Sequence, residues 1–409
     1  RAEGNSGGIQ ISSKDISLTD GAVIGASTSG KGNAGSIIIT ATGNIFVSGE
    51  NNNGLVSAIS SEVYSTADGN SGGIQISSKD ISLTDGAKIS ATTFGNGNAG
   101  SVNINATGNI SASGESNKGL LSEISSEVYS RAEVNSGGIQ IITKDLYLTD
   151  GGIINASTFG NGNAGSVNIN ATGNISASGE SKNGSNSGIF SQVNENAQGD
   201  AGGIQIITKD LYLTDGGRIS ASTLGTGNAG SVNINATGNI SASGESKTGF
   251  FSGILSVVNP SGFGNAGGIE IKTNNLSLTD GGIINASTYG KGNSGGIEIK
   301  TNNLSLKDGG TISATTFGKG NAGAIIINAT GNISAQGEGN NENESGIYSQ
   351  VTSNAEGNSD GIQINTNNLS LTDGGLINAN TYGKGNAGSI IINATGNISV
   401  SGNNKNGFG

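Results

Sequence analysis

The sequence predicts an all-β chain wound as a parallel β-helix (a β-solenoid), with three short strands per coil and about thirteen coils. Three observations lead there. A Gly-Asn-Ala-Gly-like motif opens at Gly4, Gly32, Gly69, Gly97, Val134, Gly162, Gly199, Gly227, Gly264, Gly292, Gly320, Gly357 and Gly385. Counting from each start, the eighth residue is Ile in every unit, from Ile11 to Ile392, and the sixth is Ile or Val. The composition is that of a thin core: 74 Gly, one Pro and 32% hydrophobic residues in a chain of 409. Gly-rich polar chains without a period read as disordered, whereas a strong period reads as an array. The array is expected to be one continuous solenoid over residues 1–409, each coil touching only its neighbours.

The starts come first. Gly4 to Gly32 is 28 residues and Gly32 to Gly69 is 37, and short and long units then alternate. One break is informative. Gly264 to Gly292 and Gly292 to Gly320 are both 28, so a short unit follows a short unit directly. Each unit must therefore be a complete turn.

The first strand follows, around residues six and eight. Two β-branched residues with one between them present one apolar face. The second strand carries Leu146 and Leu148 in a short unit, or Ile110 and Ala112 in a long one. The third carries Ile154 and Ala156, or Ile189 and Val193. Gly, Asn, Asp and Ser between them supply corners. Hairpins would not stack identical residues. Parallel coils about 4.8 Å apart would, which turns the invariant Ile into a ladder.

Long units owe most of their extra length to a loop after the second strand, at 49–54, 114–119, 179–184, 244–249 and 337–346. These loops are expected to project from one edge on every second coil. Their acidic residues, Glu50, Glu115, Glu180, Glu245, Glu338, Glu342 and Glu344, are candidates for partner contact. So are Phe251 and Phe263, in the unit that Phe250, Pro260 and Phe263 make unlike the others.

Net charge is −11 with 12% charged residues. Nucleic acid needs clustered Lys and Arg, so it is excluded as a partner. No apolar run reaches the length of a membrane span, so no membrane insertion is expected. Absence of Cys leaves the compartment open. A start at Arg1, without Met or signal peptide, reads as a piece of a longer protein.

Catalysis has little to work with. There is no His and no Cys, and no catalytic residue, metal ligand or cofactor is assigned. Asp20, Asp85, Asp150, Asp215, Asp280, Asp308 and Asp373 share one corner position and read as turn residues hydrogen-bonding their own turns. The calcium-binding nonapeptide pattern is missing. The outward column Gln10, Gln75, Asn103, Gln140, Asn168, Gln205, Asn233 and Gln363 reads as an amide ladder. Glu270, Lys272, Glu298 and Lys300 interrupt or flank it as a paired surface patch. Ala-x-Thr at Ala91–Thr93 and its copies invites comparison with ice-binding arrays, but long units lack it.

Four motifs carry a family resemblance: Leu148-Thr149-Asp150-Gly151-Gly152, Ile154-x-Ala156-x-Thr158, Gly160-x-Gly162-Asn163-Ala164-Gly165 and Gly173-Asn174-Ile175. Recurring throughout, they resemble the stalk repeats of filamentous-haemagglutinin-type exoproteins, most closely the versions common in cyanobacteria. The resemblance implies a right-handed β-helical surface fibre, secreted to the cell surface through a partner outer-membrane transporter. It also implies a non-enzymatic structural or adhesive role, with a host-cell or extracellular glycan or protein as ligand. The rival is a β-helical polysaccharide lyase or glycosidase. It would need three or more non-repeated charged residues on one face, and the sequence displays no such group.

Overall fold

The structure, a computed structural model, describes residues 3–129, 133–339 and 344–403. Every regular element among them is a β-strand. The strands form three sheets of 13, 13 and 12, and each sheet takes every third strand of the chain in order. Pairing is parallel and in register: Ile9–Ser13 lies on Ile37–Ala41 with Ile9 opposite Ile37 and Ile11 opposite Ile39. This is a parallel β-solenoid with three strands per coil. The chain divides into two compact units, Arg1–Ile207 and Thr208–Gly409, both built on this plan.

The core is as thin as the composition demands. Along the first sheet the sixth and eighth residues point inward, and Ile37, Ile39, Ile74, Ile76, Val102 and Ile104 are fully buried. In the second sheet Ile110 stacks on Leu146 and Ala112 on Leu148. The third strand is shorter than its apolar pattern suggests. It ends at Asn155 and Phe190, while Ala156 and Val193 are buried beyond it. Its central residue, such as Ile89, Ile124 or Ile154, faces the core.

The start motif is explained by close approach. A side chain at Gly97 would sit 1.9 Å from the carbonyl oxygen of Gly69 one coil below. The Asn of the motif does work of its own. Its Oδ1 accepts the backbone N–H of the equivalent residue one coil on, as Asn98 N donates to Asn70 and Asn293 N to Asn265. This corner is where side-chain amides run from coil to coil in both units. In the outward column assigned that role, Asn103 Nδ2 and Asn168 Nδ2 donate locally, to Ser101 Oγ at 3.2 Å and Ser166 Oγ at 3.4 Å.

Two further expectations need correcting. The seven Asp-Gly corners do place Asp in the left-handed region, with φ between 48° and 56°. Four of the carboxylates, however, accept from the preceding coil: Asp85 from Ser48 Oγ, Asp150 from Ser113 Oγ, Asp280 from Ser243 Oγ and Asp373 from Gln336 Nε2. The Thr of Ala-x-Thr faces inward. Thr93, Thr158, Thr223, Thr288 and Thr316 are wholly buried, so they offer no hydroxyl array to ice. The expected patch on the first sheet is present, with Lys300 Nζ 2.7 Å from Glu298 and 3.9 Å from Glu270.

Candidate functional site

The loops of the long coils lie between the second and third strands, so they border the outer side of the third sheet. Strand alternation sends the flanking residues outward, and the alternation continues past the strand end. Four outward columns result. In the first unit one coil supplies Ala58, Ser60, Glu62 and Tyr64, and the next coils contribute Lys88, Ser90, Thr92 and Phe94, then Glu123, Ser125, Glu127 and Tyr129.

Those columns bring together a charged cluster. Lys88 Nζ donates to Glu123 Oε1 at 2.6 Å. Asn155 Nδ2 donates to Glu127 Oε1 at 2.5 Å, and Asn155 Oδ1 accepts from Ser157 Oγ. Burial, with the neighbouring Glu123 adding to it, pushes the Glu127 carboxyl well above the usual range. Burial also raises Glu62, against a hydrogen bond from Ser90. For Lys88, burial works to lower the pKa, but Glu123, Glu127 and Glu62 outweigh it and hold the ammonium above its ordinary value. Phe94, Tyr129 and Phe159 stack at 4.9 and 4.5 Å along the outermost column, and Tyr129 bonds Glu127. The cluster has what the enzyme reading lacked in the sequence, several charged residues on one face. Two of its carboxylates, though, are buried, Glu123 on Lys88 and Glu127 beneath its amide and phenol partners, while Glu62 is half-buried.

The loops fold back as small hairpins. Glu50 bridges Val56, Glu115 bridges Leu121 and Glu245 bridges Phe251, all antiparallel. A buried Ser closes each base, with Ser57 Oγ donating to Ser48 O and accepting from Gly21 N. In the first unit successive loops touch across the intervening short coil. Asn117 N donates to Glu50 Oε1 at 3.2 Å, and Lys118 Nζ donates to Asn53 O. A side chain at Gly119 would collide with Asn183 of the following loop.

The predicted contact residues therefore divide. Glu115 and Glu338 are buried, Glu50, Glu180 and Glu344 are half-buried, and only Glu245 stands exposed. Glu50 Oε2 and Glu115 Oε2 are enclosed without a hydrogen-bond partner. Glu342 lies outside the described residues. With Glu245 excepted, the described acidic loop residues are buried or half-buried and do not form an outward row. Phe263 is exposed, with Lys291 Nζ 5.1 Å from its ring centroid. Phe251 is half-buried and lays its ring against Gly281.

Phe251 also marks the second candidate. In the second unit the same columns form an open groove of about 450 Å³. Its floor is Ile283, Asn285, Thr311, Ser313 and Thr315; Tyr289 and Phe317 line one side, and Glu344, Tyr348 and Gln350 complete it. Tyr289 and Phe317 stack at 4.4 Å. Tyr348 folds back over Gly346, where a side chain would meet the phenol oxygen at 2.8 Å, and its hydroxyl donates to Glu344 O. At the other end Arg218 braces the Phe251 loop. Its guanidinium lies 4.6 Å over Phe250, and Nε donates to Phe251 O at 3.0 Å. Burial pushes the Arg218 pKa down to about 10.

The groove lies where the two short coils meet. Between the loops of the coils starting at Gly227 and Gly320 stand two short coils, so the loops are three coil spacings apart, about 14 Å. In the first unit one short coil intervenes, the spacing is about 10 Å, and the loops close on each other. The signal was in the sequence as the doubled 28-residue spacing, which announces a gap in the loop row as much as a complete turn.

Among the described residues no group of three or more His, Cys, Asp or Glu is arranged to hold a metal ion. No family model, no curated protein and no solved structure matches the chain. The fold by itself defines a class, the three-stranded parallel β-solenoid.

Proposed function

We propose that this chain is a non-enzymatic shaft segment of a secreted, cell-surface exoprotein of the filamentous-haemagglutinin type, exported through a partner outer-membrane transporter, with an adhesive role. The observation that carries the reading is the use of the repeated polar residues. Corner Asn, corner Asp and loop-base Ser are each spent on bonds from one coil to the next, as in Asn98 to Asn70, Ser113 to Asp150 and Gly86 to Ser122. Such a chain is a scaffold first. Among the surfaces it offers to a partner are the outer columns of the third sheet, where Tyr64, Phe94, Tyr129, Phe159 and Phe317 stand exposed. The test is to label intact cells with antibody to this chain and to measure binding of the purified chain to cells and extracellular polysaccharide. Surface labelling with saturable binding is expected; signal only after cell lysis would overturn the reading.

One observation favours the rival. Glu123, on Lys88, and Glu127, on Asn155, are two carboxyls in one cluster, and glycoside chemistry uses a carboxyl pair. The non-enzymatic reading rests on their burial, which leaves little of either carboxyl to a substrate oxygen. Release of reducing ends from polysaccharide by the chain, abolished in Glu127→Gln, would decide for the enzyme.

A further inference from the structure

From the groove of the second unit we infer a binding site for a neutral oligosaccharide, laid between Phe251 and Tyr348 across the two short coils. The inference rests on the adhesive reading and names its ligand class. Four features select that class. First, the groove is bounded by aromatic rings, Phe251 and Tyr348 at its ends and Tyr289 and Phe317 along one side, which suit the apolar C–H faces of sugar rings. Second, its floor offers hydroxyls and amides, Asn285, Thr311, Ser313, Thr315 and Gln350, which both donate and accept as a polyol requires.

Third, the floor's backbone is already engaged. Ile283 N donates to Ser252 O and Thr311 N to Gly282 O, so an extended peptide finds no free ladder to join. Fourth, the lining includes the carboxylate Glu344 and no Lys or Arg, which disfavours uronic or sulfated sugars. A volume of about 450 Å³ is within the range of small-ligand clefts. Arg218 takes no part in contact. It is a positioning residue for the Phe251 loop.

The experiment is calorimetric titration of the full chain with cellohexaose, laminarihexaose, mannohexaose and chitohexaose, and with hexagalacturonate as the anionic control. Saturable binding of at least one neutral hexasaccharide, one per chain, is expected, with none of hexagalacturonate. Tyr348→Ala and Thr311→Val should each weaken it tenfold or more, and Ser313→Trp, which fills the floor, should abolish it. Circular dichroism spectra of the variants should match that of the unaltered chain. Arg218→Gln should weaken binding and be partly rescued by Arg218→Lys.

The inference is overturned if no neutral hexasaccharide binds, or if binding is indifferent to all three groove substitutions in folded protein. Cell binding separates it from the broader reading. Chain that coats cells equally well with Ser313→Trp leaves adhesion standing and removes the groove. Hexasaccharide bound in the groove by chain that ignores cells does the reverse.

Discussion

In residues 58–127 the outer columns of the third sheet carry Glu62, Lys88, Glu123 and Glu127; in residues 253–350 the same columns carry Gly253, Val257, Gly346 and Gln350. The inward residues scarcely differ. Ile59, Ile89 and Ile124 in one unit match Ile254, Ile284 and Ile347 in the other, all buried. One scaffold thus supports two surfaces. In residues 58–127 charge fills the face and the loops close over one intervening coil. In residues 253–350 Gly253 and Gly346 flank the two short coils in that column, and the loops stand apart. The lesson is that coil order and outward residues are set independently of the core, since backbone ladders and Ile stacks tolerate either.

The comparison can be broken most forcefully at Lys88. Replacing it by Met strands Glu123 and raises the cost of ionising Glu127 and Glu62, with an expected loss of about 3 kcal/mol in urea unfolding. An unchanged midpoint would mean that the cluster does not hold the face together. Next comes Gly346→Ala. The new carbon would lie 2.6 Å from Leu376 O and 2.8 Å from Tyr348 Oη, so the strand must shift, at about 1–3 kcal/mol. Free accommodation would show that glycine is not required at that position.

A matched pair tests the claim of a shared scaffold. Asn98→Ala in the first unit removes the Oδ1 that accepts from Asn135 N, and Asn293→Ala in the second removes the one that accepts from Asn321 N, one rung of the corner ladder each, at about 1 kcal/mol apiece. Markedly unequal losses would contradict a common frame. Titration sharpens the contrast further. The Glu127 carboxyl is raised in the folded chain, so the fold favours its protonated form. Stability from this group is complete below the ordinary value of 4.5 and is lost as pH rises through its higher folded value. Glu127→Gln should therefore raise the thermal midpoint at pH 8 and leave it alone at pH 4. Lys88, held above 10.5, stays charged across that range and adds no slope. Smallest of all, Lys300→Gln on the exposed first sheet should leave the melting curve where it is.

The core was legible because a period-2 alternation with β-branched residues has one physical meaning once it repeats. Thirteen Ile at one position dictate a stack, and the stack dictates parallel sheets. What lay outside the core was harder to see. Thr93 looks like a surface residue because Thr is at home on exposed strands, yet the phase of alternation after Ile89 sends it inward. Glu115 looks like the tip of an acidic loop, but it is the first residue of a hairpin whose neighbour covers it, and only the packing of one loop on the next reveals that. Glu62, Lys88, Glu123 and Glu127 escaped notice for a related reason. They are separated by up to 65 residues in the chain and by only a coil or two in the fold, and each alone is an ordinary departure from the repeat. Asking which departures share an outward column would have grouped them.

The doubled short coil at Gly264 and Gly292 has a consequence for how such a chain acquires surfaces. A recess here is made by subtraction. Leave out one 37-residue unit and two walls move apart by a coil spacing, while every Ile keeps a partner above and below. Restoring a long unit between them should shut the recess, and removing a different one should open another elsewhere. The order of long and short units thus works as a spatial code, with the cores as its blank tape and the gaps between loops as its marks.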